Sequence, residues 1–260
     1  MKFHGIVYLS AFLLLIAGQV FASTTVDLTT EGSYGMIGTG KFYQYVIDTA
    51  GGTGLIDSFL RISSNDPVEQ GYNTDYSPTE PDASDSWTKA ILLKDIPSVT
   101  LGGTTYREFI LDIGENAGGP PGVPNELLSL DDLQLYVSTN DMLTSFSPVT
   151  HTFSDTAYPV YSFGTGDWVK LTSAFASGNG QTDMIALIPG FESYDENSYY
   201  VYLYSKFGAQ DNGTNGLGNN DGFEEWAVGK NGAFIPAPAA ILLGAIGIGF
   251  VNSLRRRRML

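Results

Sequence analysis

The sequence predicts an all-β protein: a β-sandwich of jelly-roll type with roughly ten strands, flanked by an apolar helix at each end. Three observations predict it. The chain of 260 residues holds 31 Gly, 15 Tyr and 15 Phe, with 16% charged residues, a composition that suits half-buried strands and turns. Its hydrophobic content of 43% is enough to fill a core and argues against global disorder. Short segments of alternating apolar and polar residues recur, each bounded by Gly, Asn or Asp, and no long amphipathic helical pattern lies between the two ends.

From the N-terminus, residues 1–22 read as a secretory signal peptide. Lys2 supplies the positive start, residues 6–17 the apolar core, and Val20-Phe21-Ala22 the small-residue spacing that places cleavage between Ala22 and Ser23. An uncleaved membrane anchor is the alternative. The exported domain then spans residues 23–233. Its strands read as KFYQYVIDT (41–49), LIDSFLRIS (55–63), SWTKAILLK (86–94), SVTL (98–101), TTYREFILDIG (104–114) and LSLDDLQLYVST (128–139). They continue as YPVYSF (158–163), DWVKLTSAF (167–175), TDMIALIPG (182–190), SYYVYLYSKFG (198–208) and GFEEWAVG (222–229). In the strand at 104–114 the larger apolar groups Tyr106, Phe109, Leu111 and Ile113 suggest one buried face with imperfect alternation, whereas Leu133, Leu135 and Val137 alternate cleanly. Two long polar loops, 63–86 and 115–126, join strands, and loops of that length are functional or mobile.

Residues 234–260 form a tail of three parts. Pro236, Ala237 and Pro238 come first, and an uncharged apolar run over 239–251 follows. Arg255, Arg256, Arg257 and Arg258 close it. The run is slightly short of the ~20 residues of a spanning helix, but neighbouring residues extend it and arginines snorkel to the headgroups. Four consecutive arginines fit no protein core and stay cytoplasmic by the positive-inside rule. Together the two ends predict one topology, with the domain outside and the arginines inside.

This tail resembles the PEP-CTERM sorting signal, with Pro-Ala-Pro where that family usually has Pro-Glu-Pro. The resemblance covers about 25 residues of tail and implies a temporary anchor in the inner membrane, recognised and cut by a membrane-embedded exosortase in a Gram-negative-type, matrix-forming bacterium. The stretch from Tyr199 to Trp226 is similar to the closing segment of other exported proteins with such tails, to which no activity is attached. The implied partners are the exosortase, the secretion machinery and the inner membrane. The implied destination is the cell surface or the extracellular matrix.

Charge narrows what the domain can bind. Between Ser23 and Ile235 there are 8 basic and 28 acidic residues, a net of −20. Such a surface repels nucleic-acid backbones and favours cations, above all divalent ones with oxygen ligands. There is no cysteine, which excludes disulfides, thiolate chemistry, zinc–thiolate sites, iron–sulfur clusters and a lipoprotein anchor.

Three kinds of site remain. Calcium is the candidate cofactor, with Asp211, Asn219, Asp221 and Glu224 as oxygen ligands in a Gly-rich loop whose order does not match an EF-hand. A second acidic loop carries Asp66, Glu69, Asp75, Glu80, Asp82 and Asp85, and a plain solvated loop is the competing reading at each place. Trp87, Trp168 and Trp226 could stack on sugar rings, although core packing uses the same residue type. His151, near Ser147, Ser154 and Asp155, has no nucleophile elbow beside it, and carboxylates are too numerous for a hydrolytic pair to be picked out. No catalytic residue is assigned. The expectation is a non-enzymatic surface or matrix protein, with extracellular polysaccharide as a candidate partner; a carbohydrate-binding module or a polysaccharide-active enzyme is the alternative.

Overall fold

A computed structural model describes residues 22–46, 54–76, 82–84, 86–115, 125–147, 149–150, 152–153, 156–175, 182–210, 216–220 and 222–234. Among these residues there are strands, one 3-10 turn at Leu93–Asp95, and no α-helix. The strands are β1 (Thr25–Asp27), β2 (Tyr34–Ile37), β3 (Gly40–Gln44), β4 (Ile56–Ile62), β5 (Glu69–Tyr72), β6 (Ile91–Leu92) and β7 (Ser98–Leu101). They continue as β8 (Thr104–Ile113), β9 (Leu127–Ser138), β10 (Tyr158–Ser162), β11 (Trp168–Thr172), β12 (Met184–Pro189), β13 (Tyr200–Phe207) and β14 (Glu224–Gly229).

They form two seven-stranded sheets. Sheet I runs β1-β11-β9-β13-β5, with β10 also on β9 and β6 on β13; sheet II runs β2-β3-β12-β8-β14-β4, with β7 on β8. Among the described strands, only β1 and β11 pair in parallel. The pairs β4/β5, β8/β9, β11/β12 and β13/β14 each cross from one sheet to the other, so the order β4-β14-β8-β12 is matched strand for strand by β5-β13-β9-β11. One core fills the space between the sheets. It is built from Phe42, Phe59, Phe109, Leu111 and Trp226 of sheet II against Leu133, Leu135, Val137, Leu203 and Phe207 of sheet I.

The imperfect alternation of β8 has a structural cause. Phe109, Leu111 and Ile113 enter the shared core, while Tyr106 and Ile110 on the other face are covered as well. Tyr106 packs with Val99, Ile185 and Leu187, and Ile110 packs with Ile56 and Ala227. Phe234 joins both clusters, and its N–H donates to Glu108 Oε1 at 2.6 Å. In β9 the inward set changes parity, from Leu128 and Leu130 to Leu133, Leu135 and Val137. The pairing with β13 explains it: Phe207 faces Leu130 but Lys206 faces Asp132, leaving Asp131 as the extra residue of a bulge. The outer face of sheet I is covered by rings, with Tyr72, Tyr136, Tyr202, Tyr204 and Phe153 buried together.

The count exceeds the ten or so strands expected. Strands β1, β2 and β5 were not anticipated, and β5 lies inside the long loop 63–86. Its sequence, EQGY, lacks apolar alternation because a buried Glu69 and a glycine stand where core residues would. A Cβ on Gly71 would come 3.1 Å from Ile62 Cγ1, so the facing β4 side chain fills that space. The expected strand at 86–94 shrinks to Ile91–Leu92 and the 3-10 turn. Residues 1–21 and 235–260 lie outside the described residues. The signal peptide's apolar core, Pro236, Ala237, Pro238 and Arg255 to Arg258 are therefore not described. Ala22 and Ser23 are described and exposed, just before β1. No helix among the described residues is long and apolar enough to cross a membrane.

Candidate functional site

β4 is an edge strand of sheet II, and an unpaired edge must be covered. Ser84 and residues 86–89 run along it: Ser84 N–H donates to Arg61 O at 2.9 Å, Lys89 N–H to Phe59 O at 2.9 Å, and Arg61 N–H to Thr88 Oγ1 at 3.4 Å. This covering brings Trp87 over the outward-facing Arg61, with the guanidinium carbon 4.3 Å from the Trp87 ring centre and 3.8 Å from that of Phe223. The cation is thus clasped between two aromatic faces.

Arg61 also donates through Nε and Nη2 to Glu225 Oε2, and Ser58 Oγ donates to Glu225 Oε1. Glu225 lies on β14 directly opposite Arg61 on β4, so the pair follows from strand register. A groove of about 510 Å³ opens beside this assembly, walled by Trp87, Arg61, Glu225, Ser58, Lys89 and Lys230. Trp87 is 52% exposed. A second hollow of about 420 Å³ shares Asp57 and Lys230 with the first and adds Lys94. Lys89 pairs with Asp57 at 3.0 Å. Four of the eight basic residues between Ser23 and Ile235, namely Arg61, Lys89, Lys94 and Lys230, therefore gather around these hollows. Arg61 and Lys89 are matched there by Glu225 and Asp57, and Asp95 also lines the second hollow, so the unpaired positive charge among the described residues is that of Lys94 and Lys230, beside hydrogen-bonding side chains and an open aromatic ring.

A row of acids lies across the outer face of sheet II. Glu225 faces Asp112 on β8, and Asp183, just before β12, donates its N–H to Leu111 O. Asp183 accepts the Ile113 N–H at 2.8 Å, yet burial and the neighbouring Asp112 charge push its carboxyl well above the usual range. Close carboxylates are what glycoside hydrolysis uses. Here Glu225, Asp112 and Asp183 are only 5%, 4% and 2% exposed, and Glu225 is already bound by Arg61 and Ser58.

The sequence candidates are distributed unevenly. Trp87 lines the groove, Trp168 sits half-buried at the start of β11, and Trp226 is fully buried with its Nε1–H donating to Ser205 Oγ at 3.0 Å. Trp226 is a core residue, which removes it as a sugar platform, and the three tryptophans form no common strip. His151, Ser154 and Asp155 lie outside the described residues, as do Asp211, Asp221, Glu80 and Asp85. Ser147 Oγ accepts the nearby Thr150 N–H. Asp75 and Asp82 serve backbone donors, accepting from Ala90 and Gln70 respectively. Asn219 and Glu224 are described, and the first joins the two acidic loops: its Nδ2 donates to Glu69 Oε2 and to Ser64 O, both at 3.0 Å. Sequence reasoning missed Arg61 and Glu225. Their signal was a lone basic residue in FLRIS and the doubled acid of FEEW, charges placed on otherwise apolar strands. Comparison with protein-family models, curated proteins and solved structures finds no match to this chain.

Proposed function

We propose that this chain is an exported, non-enzymatic surface or matrix protein whose β domain binds an anionic extracellular polysaccharide in the Trp87 groove. The observation that carries the reading is the groove itself: a half-exposed tryptophan stacked on Arg61, with Lys89 and Lys230 on the same walls and Lys94 in the adjoining hollow, on a strongly acidic protein. Lys94 and Lys230 are exposed and make no ion pair among the described residues, so their charge is open to a ligand. An apolar ring face for the sugar, cations for its acid groups and hydroxyl partners such as Ser58 and Thr88 are the elements such recognition needs. The matched order of β4-β14-β8-β12 and β5-β13-β9-β11 supports a jelly-roll sandwich, an architecture found among lectin domains. The secretory leader and the sorting-signal resemblance supply the location: held in the inner membrane, then passed to the surface or matrix.

The test is affinity electrophoresis of the purified protein through gels containing alginate, a neutral glucan, or no polymer. Retardation by alginate that disappears in Trp87→Ala supports the reading. Equal migration of wild type and variant in every gel overturns it. Retardation by the neutral glucan alone would keep sugar binding but remove the anionic class. A second reading, hydrolysis by the Glu225–Asp112–Asp183 row, draws on the closeness of these acids; release of reducing ends from the same polymers would support it instead.

A further inference from the structure

The end of the interior beside residues 216–220 is rich in oxygen acceptors and poor in donors among the described residues. Glu69 begins β5, and Gly71, two residues on, faces Ile62 of the other sheet, so by alternation Glu69 points between the sheets. Glu224 begins β14, and Trp226, two residues on, reaches Ser205 across the interior, so Glu224 points inward too. The two sit at the same end. Glu224 pairs with Ile62, Ser63 Oγ bonds Gly222 O, and the Ser64 N–H donates to Glu69 Oε2 at 3.0 Å. Both glutamates are completely buried.

Their hydrogen bonding is incomplete in one direction only. Among the described residues both carboxylate oxygens of Glu224 lack any donor, as do Glu69 Oε1 and Asn219 Oδ1. Asn219 already spends its Nδ2 on Glu69 and Ser64, which leaves its carbonyl oxygen to face a missing electropositive partner. An uncompensated buried carboxylate is among the costliest groups a fold can hold, and four orphan acceptors on three side chains at one end of the interior call for a cation. No lysine or arginine bonds to any of the three among the described residues.

The geometry points to a structural site for a hard divalent cation, of which calcium fits best, held by Glu224, Glu69 and Asn219 Oδ1 at this end of the interior. Calcium takes 6–8 oxygen ligands in flexible geometry and accepts carboxylate, amide and backbone oxygens together. The site clamps the 63–69 turn to the loop before β14, and it is separate from the Trp87 groove. It reassigns the expected calcium loop: Asn219 and Glu224 stay, Glu69 from the other acidic segment joins them, and Asp211 and Asp221 lie outside the described residues. In the absence of a cation, burial and the Asp82 charge push the Glu69 carboxyl up to about 8, the response of an acid that lacks its counter-charge.

The test is thermal unfolding of the whole protein in calcium chloride and in chelator, with calorimetric titration of calcium into the metal-free protein. At free calcium ~100 times Kd the melting temperature should rise by about 5–10 °C, with one calcium bound. Glu224→Gln and Glu69→Gln should each abolish the rise without lowering the melting temperature in chelator, because each replaces a buried acid that has no counter-charge by a neutral side chain of the same shape. Glu31→Gln, at an exposed acid, should leave the rise intact. Identical melting of wild type in calcium and chelator overturns the proposal, and so does an undiminished rise in Glu224→Gln, which would place the binding elsewhere.

Discussion

Replacing Arg61 by alanine tests the groove's construction. Its guanidinium has a side-chain exposure of 19% and its partner carboxylate of Glu225 only 7%, so the pair is far from the solvent-screened surface class worth ~0–1 kcal/mol. R61A leaves Glu225 buried with Ser58 as its remaining donor and removes the cation between Trp87 and Phe223. Breaking a buried pair from one side costs about 3–5 kcal/mol; the retained Ser58 bond and residual exposure place the expectation near 3 kcal/mol. For a domain of this size that is a fall in melting temperature of roughly 6–12 °C. The assay is urea and thermal unfolding of wild type, R61A, E225A and the double variant. The double variant should cost clearly less than the sum of the singles, since it strands no charge. Trp87 fluorescence should also change in R61A and not in E225A beyond what unfolding explains. A cost under about 0.5 kcal/mol for R61A, or strict additivity in the double variant, would refute the claim that this pair builds the groove wall.

Trp87→Ala should weaken polysaccharide binding by about 30-fold, the effect of losing a dominant contact, while costing only ~1 kcal/mol of stability; binding isotherms and melting curves separate the two. Gly208→Ala should destabilise by at least about 2 kcal/mol, read as a lower urea midpoint, because Gly208 has φ +79° and a Cβ there would come 1.9 Å from Pro67 O. In chelator, the stability of wild type relative to Glu69→Gln should fall as pH rises from about 4.5 to about 8. The folded-state value of Glu69 is raised above its ordinary 4.5, so its favourable contribution is complete below 4.5 and is lost as pH climbs to the folded value. The Ser64 N–H and Asn219 Nδ2 donate to it, the Asp82 charge acts on it from the adjoining segment, and Glu224 of β14 lies at the same end of the interior. Calcium should reverse that trend, because the ionised form is then the one bound; melting curves across pH with and without calcium decide it.

Much of the architecture was legible because strand alternation is a direct print of burial. Leu133, Leu135 and Val137 of β9 are inward as read, and the strand-rich stretches at 104–114, 182–190 and 198–208 each contain one long strand. What was not legible has a common physical origin. Where both faces of a strand are covered, as at Tyr106 and Ile110 in β8, alternation blurs. Where a core position is held by Glu69 or Gly71, it disappears, and β5 with it. The groove was hidden for another reason: Arg61 and Glu225 are far apart in sequence and meet only through the β4–β14 register. Trp87 could be picked out as an exposed aromatic candidate, but nothing local distinguished it from Trp226, which the core consumes. The two acidic loops read as separate because Asn219 reaches Glu69 across 150 residues of chain.

The way the chain leaves the domain has a mechanical consequence. β14 is the last strand described, and it is hydrogen-bonded on both sides, to β4 and to β8. Beyond it the chain turns back and Phe234 seats itself on the outer face of sheet II. A pull applied past that residue first lifts the Phe234 ring with its bond to Glu108 and the neighbouring Ala233, then meets an interior strand whose two ladders are loaded together. A thread drawn from an edge strand would unzip bond by bond. This one has a weak latch backed by a strong shear joint, so modest tension frees a short length of slack without opening the two-sheet body.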